Sequence, residues 1–287
     1  MATAQPSAAA LGALGDHGMV RRLASAIVLL PVFLLILTQA PAYLFDALVV
    51  VASAAALWEL TRMLQPGDRA VHRVLGVAAG TALTAAFAVP RTAEPFALPG
   101  LVLAIVVAAV LAAPLWSGSS PATDPAAHTL LAVLYVGWLL GYGILLQHSV
   151  PRGDQLVLFV VGVTWIGETM AYVVGSTLGR HKLAPVISPR KTVEGSLAQV
   201  AASVLSGLAL GAWLLPGCGV SAALAGGALL GVVGQVGDLA ESVIKRSVGT
   251  KDTGGIIPGH GGILDRIDSL LFNLPAFYYF SRLVGCT

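Results

Sequence analysis

Long apolar segments separated by short polar ones dominate the pattern of this chain. An α-helix needs about 17 to 25 predominantly apolar residues to cross a bilayer. By that measure the pattern predicts about nine spanning helices, at residues 23–40, 43–64, 74–90, 97–116, 129–149, 155–178, 196–215, 221–241 and 267–285.

The spacing of these segments also predicts a domain organisation. Residues 1–20 are polar and rich in Ala and Gly, so we expect a disordered tail. About five helices then form an N-terminal unit over 21–150, and about four form a C-terminal unit over 151–287. The C-terminal unit holds the densest charged motifs, so we expect it to carry the chemistry of the chain, and the resemblance described below implies that it is catalytic.

Composition favours a membrane protein over a soluble one. Hydrophobic residues make up 56% of the chain, charged residues 10%, and the mean hydropathy is +0.85. Soluble domains carry about 25% charged residues. The sequence therefore predicts an all-α, polytopic integral membrane helical bundle.

Small residues predict where these helices approach one another closely. Glycines recur four residues apart, a spacing that lets helix backbones come together in lipid. The pairs are Gly76/Gly80, Gly137/Gly141, Gly207/Gly211 and Gly227/Gly231. The two cysteines, Cys218 and Cys286, lack metal-ligand spacing, and we interpret them as packing residues outside any disulfide framework.

The distribution of positive charge predicts the orientation of the bundle. With a cytoplasmic N-terminus, 13 of the 16 Lys and Arg residues lie in or beside inside segments, against Arg91, Arg152 and Arg282 outside. Positive loops favour the cytoplasm. The charged segments 179–195 and 242–266 should therefore face the cytoplasm of an inner cell membrane. The first span resembles the apolar part of a signal peptide, but we expect it to be retained.

Two groups of charged residues near the end of the chain share helix faces. Asp238, Glu241 and Lys245 lie at i, i+3 and i+7, and Asp265 and Asp268 lie at i and i+3 at the start of the last helix. Acidic residues within spans are costly and usually functional. An internal ion pair and helix-end capping are the structural alternatives, and each explains only part of the group.

A glycine-rich loop, TGGIIPGHGG, joins the two groups. Its glycines allow backbone amides to turn toward a ligand, as in phosphate-binding loops. His260 within it is either a general base or phosphate donor, or a packing residue. Carboxylates beside Arg246, Lys251 and Arg266 indicate a site for Mg²⁺ and phosphates, because Mg²⁺ prefers oxygen ligands and basic side chains bind phosphate oxygens.

A second candidate region lies upstream, over residues 168–195. Ser188 and Lys191 belong to a Ser-Pro-Arg-Lys-Thr segment that combines hydroxyls with cations, which suits phosphate. The alternative is an ordinary positive loop. Glu168, Tyr172 and Gly175 lie at i, i+4 and i+7, and an acid so deep in a span should face a cavity or a partner.

These residues resemble a known family signature. Ser242-Val-Ile-Lys245-Arg246, then Lys251-Asp252, then His260-Gly-Gly-Ile-Leu-Asp265-Arg266-Ile-Asp268 resembles the phosphatidate cytidylyltransferases, also called CDP-diacylglycerol synthases. The segment 188–195 looks like the second motif of that family, and the resemblance is specific over about 165–275. One departure is Glu168, where the family usually has aspartate.

The resemblance implies that CTP and phosphatidic acid react at the bilayer to give CDP-diacylglycerol and pyrophosphate. It also implies a homodimer, no nucleic-acid partner, and Mg²⁺ with a second cation left open. The implied metal ligands are Asp238, Asp265 and Asp268, which with Lys191 and Lys245 form the expected catalytic set. The implied phosphate-binding residues are Ser188, Lys191, Lys245, Arg246, Lys251, His260 and Arg266. Glu168, Tyr172, Glu194 and Glu241 are accessory candidates.

Other function classes fit the sequence less well. The motif of the CDP-alcohol phosphotransferases does not occur in it. A transporter needs charged residues near the bilayer midplane, whereas here they gather toward one face. An inactive or divergent relative that acts on another lipid phosphate stays an alternative because of Glu168.

Overall fold

A computed structural model describes residues 30–64, 70–89, 94–117, 123–149, 153–254 and 261–286. Their helices are α1 (residues 30–38), α2 (Ala42–Leu64), α3 (Ala70–Ala86), α4 (Ala97–Ser117), α5 (Thr123–Ala132), α6 (Leu139–His148), α7 (Gly153–Thr177), α8 (Val193–Leu214), α9 (Gly219–Ser247) and α10 (Leu264–Leu283). A π-helical turn joins α5 to α6. Each of the nine predicted spans contains at least part of a helix. The predicted tail, 1–20, and the beginning of the first span lie outside the described residues.

Length and composition confirm a polytopic membrane protein. Five helical segments in the described part of the chain are long and apolar enough to cross a bilayer: Ala42–Leu64, Asp124–His148, Gly153–Thr177, Val193–Leu214 and Pro216–Ser247. The helix α9 continues six residues beyond its predicted end at 241. Lys245 and Arg246 therefore lie on the same helix as Asp238, which fixes their spacing along one rigid element.

A short β-hairpin lies between α7 and α8, in the charged segment 179–195. Strand β1 (Lys182–Ala184) pairs antiparallel with β2 (Ser188–Thr192). The prolines that exclude a helix here are tolerated in a short ribbon with free edges. Thr192 then caps α8, because its side chain accepts a hydrogen bond from the Gly195 N–H at 3.2 Å. The hairpin is thus fixed to the start of α8.

Small residues bring the helices together as their spacing predicts. A Cβ atom added to Gly207 of α8 would lie 2.8 Å from the Cα of Gly227 on α9. One added to Gly137 of the π-helical turn would lie 2.7 Å from the carbonyl oxygen of Gly80 on α3. Both contacts are with backbone atoms, so a larger residue at either position requires the helices to separate.

The N-terminal helices pack against the C-terminal ones around α10. Both α2 and α6 contact α10, which also packs against α7 and α9. The buried core runs across these contacts and includes Leu57, Leu60, Ile144, Leu271 and Phe277. This packing brings one end of α2 next to the charged end of α10. The proposed division of the chain near residue 150 stays a prediction.

The cysteines are linked, so the interpretation of them as unconnected packing residues is wrong. Cys218 follows α8 and Cys286 follows α10, and a disulfide joins them with a Cα–Cα distance of 4.9 Å. Their separation of 68 residues gives no local signal for this pairing. The disulfide lies at the ends of α8 and α10 that are opposite the hairpin and the charged residues.

Candidate active site

Three helices and the hairpin bring charged side chains together at one end of the bundle. Glu168 lies on α7, Asp238 and Glu241 on α9, and Asp268 on α10. The other three acids are close enough to Asp268 for their charges to repel it. Glu168 also lies beside Ser269. Acids from the two regions that the sequence indicated separately therefore form a single cluster.

Two lysines bridge the elements of this cluster. Lys191 Nζ, from β2, lies 2.7 Å from Asp238 Oδ2 on α9. Lys245 Nζ, from α9, lies 2.5 Å from Glu241 Oε2 and 2.9 Å from Asp265 Oδ1 on α10. An ammonium group has three donors and no acceptor, so each lysine can neutralise carboxylates and still offer a donor to a phosphate oxygen.

Asp265 also shapes the end of the glycine-rich loop. Its Oδ2 accepts hydrogen bonds from the backbone N–H groups of Gly262, at 3.2 Å, and Thr253, at 3.5 Å. Gly261 has a φ of +85°, a left-handed conformation that glycine adopts without strain. Asp265 therefore connects Lys245 on one side to Thr253 and Gly262, the two ends of the loop, on the other.

The donor chemistry of the cluster fits a hard divalent cation. The carboxylates of Glu168, Asp238, Glu241, Asp265 and Asp268 outnumber the lysines beside them, and Mg²⁺ prefers such oxygen ligands. Glu241 is 0% exposed, and its Oε1 has no hydrogen-bond partner among the described residues. The Tyr135 hydroxyl is also buried without a hydrogen-bond partner in the described part of the chain. It lies near Glu241, Asp238 and Asp268.

The arrangement of the carboxylates does not by itself enclose an ion. Within the described ranges, no three His, Cys, Asp or Glu side chains are placed so that they could hold a metal. Lys191 and Lys245 already contact Asp238, Glu241 and Asp265, and an ammonium group at a carboxylate takes the position of another cation. The Mg²⁺ site thus stays a prediction, supported by the chemistry of the residues.

The remaining predicted residues differ in their burial and in the contacts they make. Arg246 donates to the carbonyl oxygens of Ile187, at 3.1 Å, and Thr250, at 2.7 Å, which ties the hairpin turn to the end of α9. Ser188 is half-buried at the start of β2, and Lys251 and Arg266 are exposed. Tyr172 is 77% exposed. His260 lies outside the described residues.

Glu194 supports the hairpin rather than the charged cluster. Its carboxylate accepts hydrogen bonds from the backbone N–H groups of Arg180, at 3.1 Å, and His181, at 3.2 Å. The His181 ring Nδ1 lies 2.6 Å from the same carboxylate. These contacts close the segment between α7 and α8, and so hold Lys191 in place near Asp238.

Sequence reasoning missed one acidic residue that reaches this region. Glu59 of α2 is 2% exposed, and its Oε2 accepts a hydrogen bond from the backbone N–H of Leu264 at 3.0 Å. An acid within an apolar span was a detectable signal. The same argument that singled out Glu168 and Asp238 applies to Glu59.

Comparisons with known proteins identify relatives of this chain. A family model described as "Cytidylyltransferase family" matches residues 20–284. The chain is 48% identical over 132 residues to a phosphatidate cytidylyltransferase of Synechocystis, covering 45% of this chain and 44% of the relative. It is 40% identical over 158 residues to a phosphatidate cytidylyltransferase of Staphylococcus aureus, covering 52% and 56%.

A third relative carries no activity in its name. This is "Uncharacterized protein YnbB" of Escherichia coli, 42% identical over 154 residues, covering 54% of this chain and 50% of the relative. The chain thus spans about half the length of these curated relatives. The family model, in contrast, extends over nearly the whole chain, and the chain therefore belongs to the cytidylyltransferase family.

Proposed function

We propose that this membrane protein is a CTP:phosphatidate cytidylyltransferase, which forms CDP-diacylglycerol and pyrophosphate. The observation that carries the proposal is the cluster of acids and lysines from α7, the hairpin, α9 and α10 at one end of an apolar bundle. A site at the end of membrane helices suits one lipid substrate and one soluble substrate. The names of the relatives support the same reaction.

The proposed chemistry requires positioning more than a protein nucleophile. A phosphate oxygen of phosphatidic acid attacks the α-phosphorus of CTP, and the bond from that phosphorus to the bridging oxygen of the β-phosphate breaks. Pyrophosphate leaves with that oxygen, and the new P–O–P linkage joins the lipid to CMP. Catalysis of such a transfer rests on alignment and on neutralising the phosphate charges.

The lysines and arginines have defined tasks in this proposal. As the nucleotide binds, the ammonium groups of Lys245 and Lys191 exchange hydrogen bonds to carboxylates for hydrogen bonds to phosphate oxygens. Arg246, Lys251 and Arg266 hold the outer phosphates, and Ser188 contacts the lipid phosphate or part of the nucleotide. Basic side chains bind phosphate oxygens with strong charge-assisted hydrogen bonds.

Asp238, Asp265 and Asp268 are the residues that we propose hold Mg²⁺, with a second cation left open. The ion supplies charge neutralisation at the reacting phosphates when it is bound. Glu168 lies in the field of Asp238 and Lys191. Its side chain places a carboxylate near these residues, where it can support the same site.

We further propose that the charged cluster faces the cytoplasm and that the protein lies in the inner membrane as a homodimer. The disulfide at the opposite helix ends supports this orientation, because disulfides persist outside the reducing cytoplasm. The excess of Lys and Arg in the predicted inside segments supports it independently. The mass of the protein in lipid nanodiscs tests the homodimer.

The experiment uses the purified chain in lipid vesicles with Mg²⁺, CTP and phosphatidic acid. We expect CDP-diacylglycerol and pyrophosphate in equal amounts. Phosphatidylglycerol, which lacks a terminal phosphate, is the matched negative acceptor, and lysophosphatidic acid tests a shorter lipid phosphate. Product from another lipid phosphate alone would favour the divergent relative, and absence of any cytidylyl transfer would contradict the proposal.

A further inference from the structure

Glu59 links the N-terminal helices to the charged end of the bundle. It lies on α2 between Leu57 and Leu60, two core residues, and is itself 2% exposed. Its Oε2 accepts a hydrogen bond from the N–H of Leu264, the first residue of α10. The first amides of a helix lack partners within it, and the helix dipole favours a negative charge at this end.

Two glycines of the loop before α10 close around the same carboxylate. A Cβ atom built on Gly254 would lie 2.7 Å from Glu59 Oε1, and one built on Gly262 would lie 2.6 Å from Glu59 Oε2. A side chain at either position would force the carboxylate to shift. The backbone at Gly254 and Gly262 therefore lies close to the Glu59 carboxylate.

The stretch of backbone that contacts Glu59 also orients Asp265. The Gly262 N–H donates to Asp265 Oδ2, and two residues later the Leu264 N–H donates to Glu59. Asp265 in turn contacts Lys245. Any shift of the loop away from Glu59 therefore moves the backbone donor that fixes Asp265. Burying a carboxylate is costly. An apolar residue at position 59 would avoid that cost, so the presence of Glu59 indicates that its oxygen atoms are needed.

We propose that Glu59 is a positioning residue of the nucleotidyl-transfer site. It holds Gly254, Gly262 and the first turn of α10 in the conformation in which Asp265 meets Lys245. This inference rests on the proposed function, because it assigns Glu59 to that site. Glu59 contacts no reacting atom in this role and acts through the backbone of Gly262 and Leu264.

The test compares Glu59→Ala with Asp46→Ala in the cytidylyltransferase assay. Asp46 is also a buried acid of α2, 7% exposed, but it pairs with His148 at 2.9 Å near the other end of the helix. Both variants are assayed well below their unfolding temperatures. We expect Glu59→Ala to lower kcat about 10- to 100-fold, as loss of groups that orient catalytic ligands does. Asp46→Ala should keep the wild-type kcat.

Two further variants make the result decisive. Glu59→Gln keeps an acceptor for the Leu264 N–H, so we expect it to be more active than Glu59→Ala. If Glu59→Ala does not fold, Gly254→Ala replaces it, because Gly254 is exposed and its new methyl group would press on Glu59. The inference would be overturned by a wild-type kcat in Glu59→Ala, or in Gly254→Ala where Glu59→Ala does not fold. An equal loss of kcat in Asp46→Ala would also overturn it.

A second readout separates this inference from the proposed function. Lys251 is an exposed trypsin site next to the loop, and we expect trypsin to cut after it faster in Glu59→Ala than in Asp46→Ala. A wild-type protein without cytidylyltransferase activity would contradict the proposed function alone. Equal cleavage rates in the two variants would contradict the positioning role, whatever the activity of the wild type.

Discussion

Lys245 Nζ lies 2.9 Å from Asp265 Oδ1, and this contact joins the end of α9 to the first turn of α10. The two side chains are only 13% and 15% exposed. Lys245 also contacts Glu241, and Asp265 also accepts from the loop. The pair therefore holds together α9, α10 and Gly262 at the end of the glycine loop, and the first prediction concerns it.

Asp265→Asn should abolish most turnover while the protein stays folded. The amide keeps the shape of the side chain but removes the charge that faces Lys245 and the proposed cation. We expect kcat to fall at least about 100-fold, the usual effect of losing one electrostatic group at a reacting centre. The rate of CDP-diacylglycerol formation measures the loss, and the thermal unfolding midpoint controls for folding. Full activity in a folded variant would remove Asp265 from the metal and phosphate assignment.

Lys191→Ala should raise the KM for CTP or lower kcat, whereas Lys182→Ala should change neither. Both lysines lie on the hairpin, but Lys191 contacts Asp238 at 2.7 Å and Lys182 is exposed on β1. If only the total positive charge of the hairpin mattered, the two variants would change activity by the same amount. Initial rates at several CTP and Mg²⁺ concentrations separate the two cases, and equal effects in both would count against a specific role for Lys191.

The sequence predicts the helices and the close contacts well because both depend on local spacing. Apolar runs of the right length locate α2 to α10, and the spacing of Gly207 and Gly211 marks a true helix contact. The hairpin carries no alternation of apolar and polar residues, so only the folded chain reveals it. Glu59 and Leu264 are 205 residues apart, and such a contact depends on how the helices pack.

Gly207→Ala should destabilise the bundle, and Gly100→Ala should not. The added Cβ at position 207 would lie 2.8 Å from the Cα of Gly227 and 2.9 Å from the carbonyl oxygen of Ala223, whereas at Gly100 on α4 it meets nothing within 4 Å. Overpacking of this kind lowers the free energy of unfolding by about 1 to 3 kcal/mol. Thermal unfolding in one detergent compares the two variants, and equal midpoints would show that α8 and α9 separate without cost.

The Cys218–Cys286 disulfide leads to predictions about the oxidation of these two cysteines and about the orientation of the protein in the membrane. We expect Cys218 and Cys286 to resist a maleimide until a reductant is added, and then to react with a membrane-impermeant maleimide only from the face opposite the hairpin. Replacing both with serine should lower the free energy of unfolding by about 2 to 4 kcal/mol, because the bond closes a long loop, and should leave kcat unchanged. Labelling of intact cells and of inverted vesicles measures the sidedness. Labelling from the cytoplasmic side would reverse the proposed orientation, and labelling without reductant would show that the bond does not form in the cell.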